Sequence, residues 1–408
     1  MAVIAVIATL DTKEKEAVFI ADCLSKMGGK PLFVDTGMMF DPSITPDVDR
    51  QGMLKAGASN EEALFKAQSE RDKQYLMKAM TKGLTLQLSA MYARGEIDGV
   101  LAIGGAQGTA MSTVAMRALP VGFPKVMVST IACGTAQFGD YVGTKDIVMI
   151  PSLCDICGIN SITGPIFTQA CGAVLGMAKA VKQSTNKSDK PAVALTMAGI
   201  TTLGVMKMKE ILDKKGYETL VFHCNGVGAI IIDELAKEGK LAGVIDATPH
   251  DVSGLLNDGL MKCEPDRFKH VYEGGVPVIS MPGGEDFVLV GPLPITRDDL
   301  KGMPYYEHTL FHTHVRADSE KMRAVGAYTA KTLKACVGPN AIMVPLQGYS
   351  YNNKKGGLVY DEASNRAYIE GVLSEKGKNT RFEERDWHIN DPEFAEEAVR
   401  LLEELMKG

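Results

Sequence analysis

Several features that would place a protein at a membrane, on nucleic acid or in an oxidising compartment are missing from these 408 residues. No apolar run approaches the roughly 20 residues that a membrane span needs. The opening Met1-Ala2-Val3-Ile4-Ala5-Val6-Ile7-Ala8-Thr9 lacks a basic leader and reads as a first strand, not a signal peptide. Positive charge is not in excess: 44 Lys and Arg against 50 Asp and Glu leave a formal net charge of −6, which argues against a bulk nucleic-acid binder. Cysteine is sparse, eight residues without the spacing of a small disulfide scaffold, as expected of reduced thiols in a cytoplasmic protein. The pair Cys154-Asp155-Ile156-Cys157 has redox-motif spacing but opens no thioredoxin-like unit, so both are expected as core thiols. The chain is rich in apolar residues, 45% of the total, enough for ample core. The 22 methionines sit mostly at apolar positions and read as core packing.

The length favours two domains over one. The polar stretch 182–191 is the natural linker, and the residues beyond it resemble the start of the chain. With a shift of 188 residues and no gap, Leu24-Ser25-Lys26-Met27-Gly28 falls on Leu212-Asp213-Lys214-Lys215-Gly216. Each half opens as strand, helix, Gly stop, strand. Further strands are expected at 100–103, 125–129 and 146–150, then at 192–197, 219–223, 243–246, 276–280 and 341–345. Helical spacing covers 61–95, 165–181, 202–214, 227–238, 318–335 and 392–406, the last with Asp391-Pro392-Glu393 as its expected cap and first turn. Alternating strands and helices predict an α/β chain: two doubly wound parallel-sheet domains, 1–184 and 191–408, with a cleft between them. The apolar helices exceed what two small sheets need, so a homodimer or higher homo-oligomer is expected.

Open parallel sheets bind ligands at the carboxyl ends of their strands. In the first half the strand Val100-Leu101-Ala102-Ile103 runs into Gly104-Gly105-Ala106-Gln107-Gly108-Thr109 and then into helical spacing. Free N–H groups of a first helical turn can hold an anion there, and glycines let a phosphate approach. The same letters fit a tight turn without a ligand. The segment is neither a P-loop nor a dinucleotide fingerprint. Asp11 or Thr12 could cap the first helix. Lys13 in a first turn opposes the helix dipole, a conflict that a bound anion would remove. Ser129-Thr130-Ile131-Ala132-Cys133-Gly134 comes after the next strand.

The second half carries different chemistry, because all seven histidines lie beyond residue 222. His223, His250 and Glu285 come after strands, and His308, His312, His314 and Arg316 share one segment. His308 and His312 have helix-face spacing and His312 and His314 strand-face spacing, either of which suits a divalent metal. General acid–base work by His223 or His250 fits equally, with Arg316 as a clamp for a substrate carboxylate. The plainer alternative is a surface strand carrying His312 and His314, with His308 at a helix cap. Asn352-Asn353-Lys354-Lys355-Gly356-Gly357 reads as polar surface.

Ala8-Thr9-Leu10-Asp11-Thr12-Lys13-Glu14, the Gly104 string, Val128-Ser129-Thr130 and Tyr141-Val142-Gly143-Thr144-Lys145-Asp146-Ile147 resemble the ATP-binding family typified by the tomato mosaic virus resistance protein. So do His308 to Arg316, Pro345-Leu346-Gln347-Gly348-Tyr349-Ser350 and His388-Ile389-Asn390-Asp391-Pro392-Glu393-Phe394. The resemblance runs essentially the full length. It implies Rossmann-like halves, with ATP or another nucleotide on the first. There Thr12, Lys13, Gly104, Gly105, Gly108, Thr109, Ser129 and Thr130 would form the cofactor site. Departures fall at Glu285, where the family's Pro-Gly-Ala-Leu-Asp has Leu, at His308-Thr309-Leu310 in place of His-Asn-Pro, and at Cys133 in place of a hydroxyl. A different ligand is therefore expected, and the virus-inhibiting role is not carried over.

Three functions remain open on these letters. The first is a nucleotide-binding metabolic protein acting on a small anionic metabolite in the cleft. The second is a hydrolase or carbon–carbon lyase of a small oxo acid, with His223, His250, Glu285, His308 and Arg316 as catalytic candidates or a metal on His308 and His312. The third is a non-enzymatic binder of a macromolecule.

Overall fold

The computed structural model describes residues 1–133, 139–183 and 188–408. Residues 184–187 of the expected linker, and Gly134, lie outside them. The chain packs as two compact units, residues 1–186 and 187–408.

In the first unit the strands are β1 (Ala2–Ala8), β2 (Gly29–Asp35), β3 (Gly99–Gly104), β4 (Lys125–Ser129) and β5 (Val148–Pro151). They form one parallel sheet of order β2-β1-β3-β4-β5. Successive side chains go to opposite faces, as a strand demands. Ile4, Val6, Leu101, Ile103 and Val126 meet the helices Leu10–Lys26 and Thr163–Gln183 in one core. Ala5, Ile7, Val100, Ala102 and Met127 meet the helices Lys73–Ala93 and Ala106–Arg117 in another. Burial on both faces is why these strands read as unbroken apolar runs.

The stretch read as one helix over 61–95 is two. Helix Glu61–Glu70 stops at Arg71, whose φ is 55°, and Asp72 starts the next by accepting from the N–H groups of Gln74 (3.1 Å) and Tyr75 (3.0 Å). A further helix, Arg50–Gly57, precedes them.

The second unit repeats the plan. Strands β6 (Ala192–Met197), β7 (Glu218–His223), β8 (Leu241–Asp246), β9 (Val278–Ser280), β13 (Asn340–Pro345) and β14 (Thr380–Arg385) make a parallel sheet of order β14-β13-β9-β8-β6-β7. Numbered within its own unit this is 2-1-3-4-5-6, the first unit's order with one strand added. Pairing differs by one residue: Ala8 lies beside Asp35, whereas Met197 lies beside His223. Between β9 and β13 the chain adds an antiparallel sheet of β10 (Phe287–Val290), β11 (Tyr305–Thr309) and β12 (His312–Arg316), in the order β10-β12-β11. These three short strands, β14 and the helix Glu362–Glu375 are additions to the elements expected from the sequence. The expected cap Asp391 stands at the start of helix Pro392–Lys407, but its carboxylate accepts from the N–H of His388 (2.7 Å) instead of a helical N–H.

All eight cysteines are free. Cys157 is exposed and Cys154 half-buried, so the expected core thiols are surface ones; Ile156 between them fills the core.

Candidate functional site

In both sheets the strand order reverses beside the first strand of the unit. Loops part at such a switch point and leave a crevice. Each unit has a pocket there.

The first-unit cleft measures about 560 Å³, within the range of small-molecule sites. After β1 it receives Thr9, Asp11, Thr12 and Lys13, after β2 Met38, Met39 and Phe40, and after β3 Gly105 to Gly108. Its loops are tied by carboxylates. Asp35, its carboxyl raised above the usual range by burial, accepts from the N–H groups of Leu10 (3.1 Å) and Gly37 (2.8 Å). Asp11 accepts from those of Met38 and Met39, both at 2.9 Å. Asp11 therefore clamps a loop and does not cap the helix. Thr12 is no cap either, since its hydroxyl reaches back to the Thr9 carbonyl (3.3 Å). Lys13 sits at a kink, with non-helical φ −126° and ψ 22°.

The helix Ala106–Arg117 opens onto this cleft. Thr109 N–H makes its first helical bond, to Gly105 at 2.8 Å, so the N–H groups of Ala106, Gln107 and Gly108 remain at the open end. A Cβ on Gly105 would approach only Thr130 Oγ1, at 3.8 Å, and one on Gly108 only the Ile103 carbonyl, at 3.6 Å. Among the described residues nothing forbids a side chain at either position, and both glycines leave open floor. Gly104 differs: its Cβ would lie 2.9 Å from the Gly108 backbone, so its absence lets strand and helix pack.

Among the described residues, four cations line the cleft, Lys13, Arg50, Arg71 and Lys73, against the single carboxylate of Asp11. Arg50 is held by the Phe40 carbonyl and the Asp41 carboxylate. No carboxylate pairs with Lys13, Arg71 or Lys73 among the described residues.

Of the cofactor residues expected from the sequence, Thr12, Lys13, Gly105 and Gly108 line this cleft. Gly104, Thr109, Ser129 and Thr130 do not. Thr109 and Ser129 are fully buried and their hydroxyls bond each other at 2.6 Å. Thr130 N–H is bonded to the Gly104 carbonyl (3.2 Å). The residues that sequence reasoning missed are Arg50, Arg71 and Lys73. For Arg71 and Lys73 the signal was the break Arg71-Asp72-Lys73, hidden inside apparent helical spacing; Arg50, at the start of helix Arg50–Gly57, gave none.

The second-unit pocket is smaller, about 130 Å³. Ala198, Gly199 and Ile200 enter after β6, His223 and Cys224 after β7, and His250 after β8. One face of the added sheet closes it with Phe287, Leu289, His308, His312 and His314. Five of the seven histidines thus meet at one place. Of the other two, His270 pairs with Asp233 (2.6 Å) and His388 bonds the Ser350 carbonyl (3.0 Å).

Ring stacking orders the interior of this pocket. His250 lies over Phe287 with centroids 4.4 Å apart, Phe287 over His314 at 3.9 Å, and His314 over His308 at 4.6 Å. The Tyr306 hydroxyl meets Nδ1 of His314. Burial, reinforced by the neighbouring imidazoles, pushes His314 down to about 2, so it is neutral. Burial lowers His250 as well. His312 and His314 do share a strand face, but in the pocket wall, and His308 lies on β11 and caps no helix.

Two expected members are elsewhere. Arg316 is 1% exposed; its guanidinium donates to the Asp286 carbonyl (2.5 Å) and Asn365 Oδ1 (2.8 Å), and it does not line the pocket. Glu285 is fully buried with both oxygens unpartnered, and burial raises its carboxyl well above the usual range. Among the described residues no three His, Cys, Asp or Glu side chains, His308 and His312 included, group closely enough to hold a metal. A buried ion cluster also escaped the sequence reading: Arg267 pairs with both oxygens of Asp246 (2.7 and 2.9 Å) and with Asp251 (3.0 Å), which braces the end of β8 below His250.

These features define a protein of two doubly wound units, each with a pocket at its switch point. Residues 2–183 match the model of the N-terminal domain, and residues 190–406 that of the C-terminal domain, of the uncharacterised protein family UPF0261. The chain belongs to the UPF0261 family. A UPF0261 protein of Clostridium tetani is 33% identical over 99% of both chains. The ToMV resistance protein Tm-1(GCR237) of Solanum lycopersicum is 32% identical over 78% of this chain and 43% of its own length. Among solved structures, the UDP-GlcNAc 2-epimerase of Methanocaldococcus jannaschii is 11% identical over 99% of this chain and all of its own, with a TM-score of 0.25. A likeness of that size carries no functional argument. Among the described residues, no helix is long and apolar enough to cross a membrane.

Proposed function

We propose that this chain is a nucleotide-binding metabolic enzyme, and that its first unit holds the phosphates of ATP or a related nucleotide in the switch-point cleft. One observation carries the reading. The open end of helix Ala106–Arg117, floored by Gly105 and Gly108, faces a cleft rimmed by Lys13, Arg71 and Lys73, which have no carboxylate partner among the described residues. Free N–H donors and unpaired cations make a polyphosphate site. Met38, Met39, Phe40, Leu54 and Leu76 give the same cleft an apolar wall for a base. Any divalent ion would arrive on the phosphates, since among the described residues the cleft offers only the carboxylate of Asp11. Calorimetry with ATP, ADP and adenosine tests this. Affinity should fall with each phosphate removed. Equal binding of adenosine would overturn it.

A second reading, acid–base chemistry on a small oxo acid, is favoured by the second-unit pocket, where a buried imidazole nitrogen of His250 has no partner among the described residues. Metabolite turnover by the full chain, lost in His250→Asn, tests that reading.

A further inference from the structure

The interior of the second-unit pocket selects for one hydrogen-bonding type. His250 is 4% exposed and its Nδ1 lies 2.7 Å from the carbonyl oxygen of Gly284. A carbonyl only accepts, so Nδ1 must carry the proton. In the neutral ring Nε2 then holds a lone pair. The stack on Phe287 fixes the plane of the ring and hence the direction of that lone pair.

Nε2 has no hydrogen-bond partner among the described residues, although buried polar atoms are almost always satisfied. A ligand that satisfies it must bring a donor. Among the described residues, no carboxylate, ammonium or guanidinium lines the pocket to compete for that role or to bind a charge. A bare carboxylate or keto group brings only acceptors and would leave Nε2 unpaired. A metal ion would need further ligands, and no three candidate side chains are grouped among the described residues.

We propose that this pocket binds a small hydroxyl-bearing metabolite whose O–H donates to Nε2 of His250. The inference rests on the second reading above, that substrate enters here, and it replaces the oxo acid with a hydroxy compound. At about 130 Å³ the pocket has room for the hydroxyl end of such a molecule. The remainder would pass the rim formed by His223, His308 and His312.

The test uses the full chain with 15N-labelled histidine. Glycolate and acetate have the same charge and differ by one hydroxyl; ethylene glycol has hydroxyls and no charge. Glycolate and ethylene glycol should move the Nε2 resonance of His250, and acetate should not. His250→Asn keeps a donor for the Gly284 carbonyl and deletes Nε2. It should weaken glycolate about tenfold, as for one lost buried hydrogen bond. If that variant does not fold, the comparison on the unmodified protein decides alone. Equal shifts with acetate and glycolate would overturn the hydroxyl inference and leave the pocket a substrate site. No response to glycolate or ethylene glycol would overturn both this inference and the second reading. Neither outcome touches the nucleotide proposal.

Discussion

The hydroxyls of Thr109 and Ser129 lie 2.6 Å apart, inside the first unit and away from its cleft. They join the start of helix Ala106–Arg117 to the end of β4. Ser129→Ala should therefore cost about 1 kcal/mol of stability by urea unfolding. Its ATP affinity should match the unmodified protein in calorimetry.

Gly104 and Gly105 are neighbours with opposite expected behaviour. Gly104→Ala drives a Cβ to within 2.9 Å of the Gly108 backbone and should lower stability by roughly 1–3 kcal/mol. Gly105→Val has room in the fold, since Gly105 has φ −79°, but places its side chain over the cleft floor. Its unfolding midpoint should change little while ATP binding is lost. Paired melting and calorimetry on the two variants check this.

Glu285 is buried beside the Tyr368 hydroxyl and makes no ion pair among the described residues. Its folded carboxyl stays protonated far above its ordinary 4.5, whereas the unfolded one ionises there. The unfolded state is thus favoured as pH rises past about 4.5. Glu285→Leu, which restores the residue common in the resembled family, should add roughly 1–3 kcal/mol at pH 7. The gain should shrink towards pH 4. Unfolding curves at several pH values measure it; a gain that grows on acidification contradicts this account.

Arg316, a candidate substrate clamp by sequence, belongs to the core. Arg316→Lys loses the contacts to Asn365 and the Asp286 carbonyl and should destabilise by about 2–4 kcal/mol. Glycolate binding by the folded fraction, read at His250, should be unaffected.

The parallel sheets were legible because buried parallel strands are short apolar runs, and Val100-Leu101-Ala102-Ile103 or Ala192-Val193-Ala194-Leu195 can be little else. The strand-end rule then pointed to Lys13, Gly105 and Gly108, and to His223 and His250. Less legible were elements whose apolar residues alternate with polar ones, such as His312-Thr313-His314-Val315-Arg316, which suits a helix or a strand until its partner is known. Arg316 misled because a strand face continues past the pocket: residues 312 and 314 line it and 316 enters the core. Thr109 and Ser129 misled because strand-end hydroxyls serve packing as readily as ligands. Arg71 and Lys73 were missed because the break at Arg71-Asp72-Lys73 lies inside apparent helical spacing, and Arg50 reaches the cleft through tertiary packing that no local spacing encodes.

The central claim is that the first-unit cleft holds phosphate. Titration of ATP into Lys13→Ala and Ser129→Ala, side by side with the unmodified chain, tests it most directly. Lys13→Ala should lose about 1–2 kcal/mol of binding, as for one charge-assisted hydrogen bond, while Ser129→Ala loses none. Unchanged affinity in Lys13→Ala, or a loss confined to Ser129→Ala, would contradict the account.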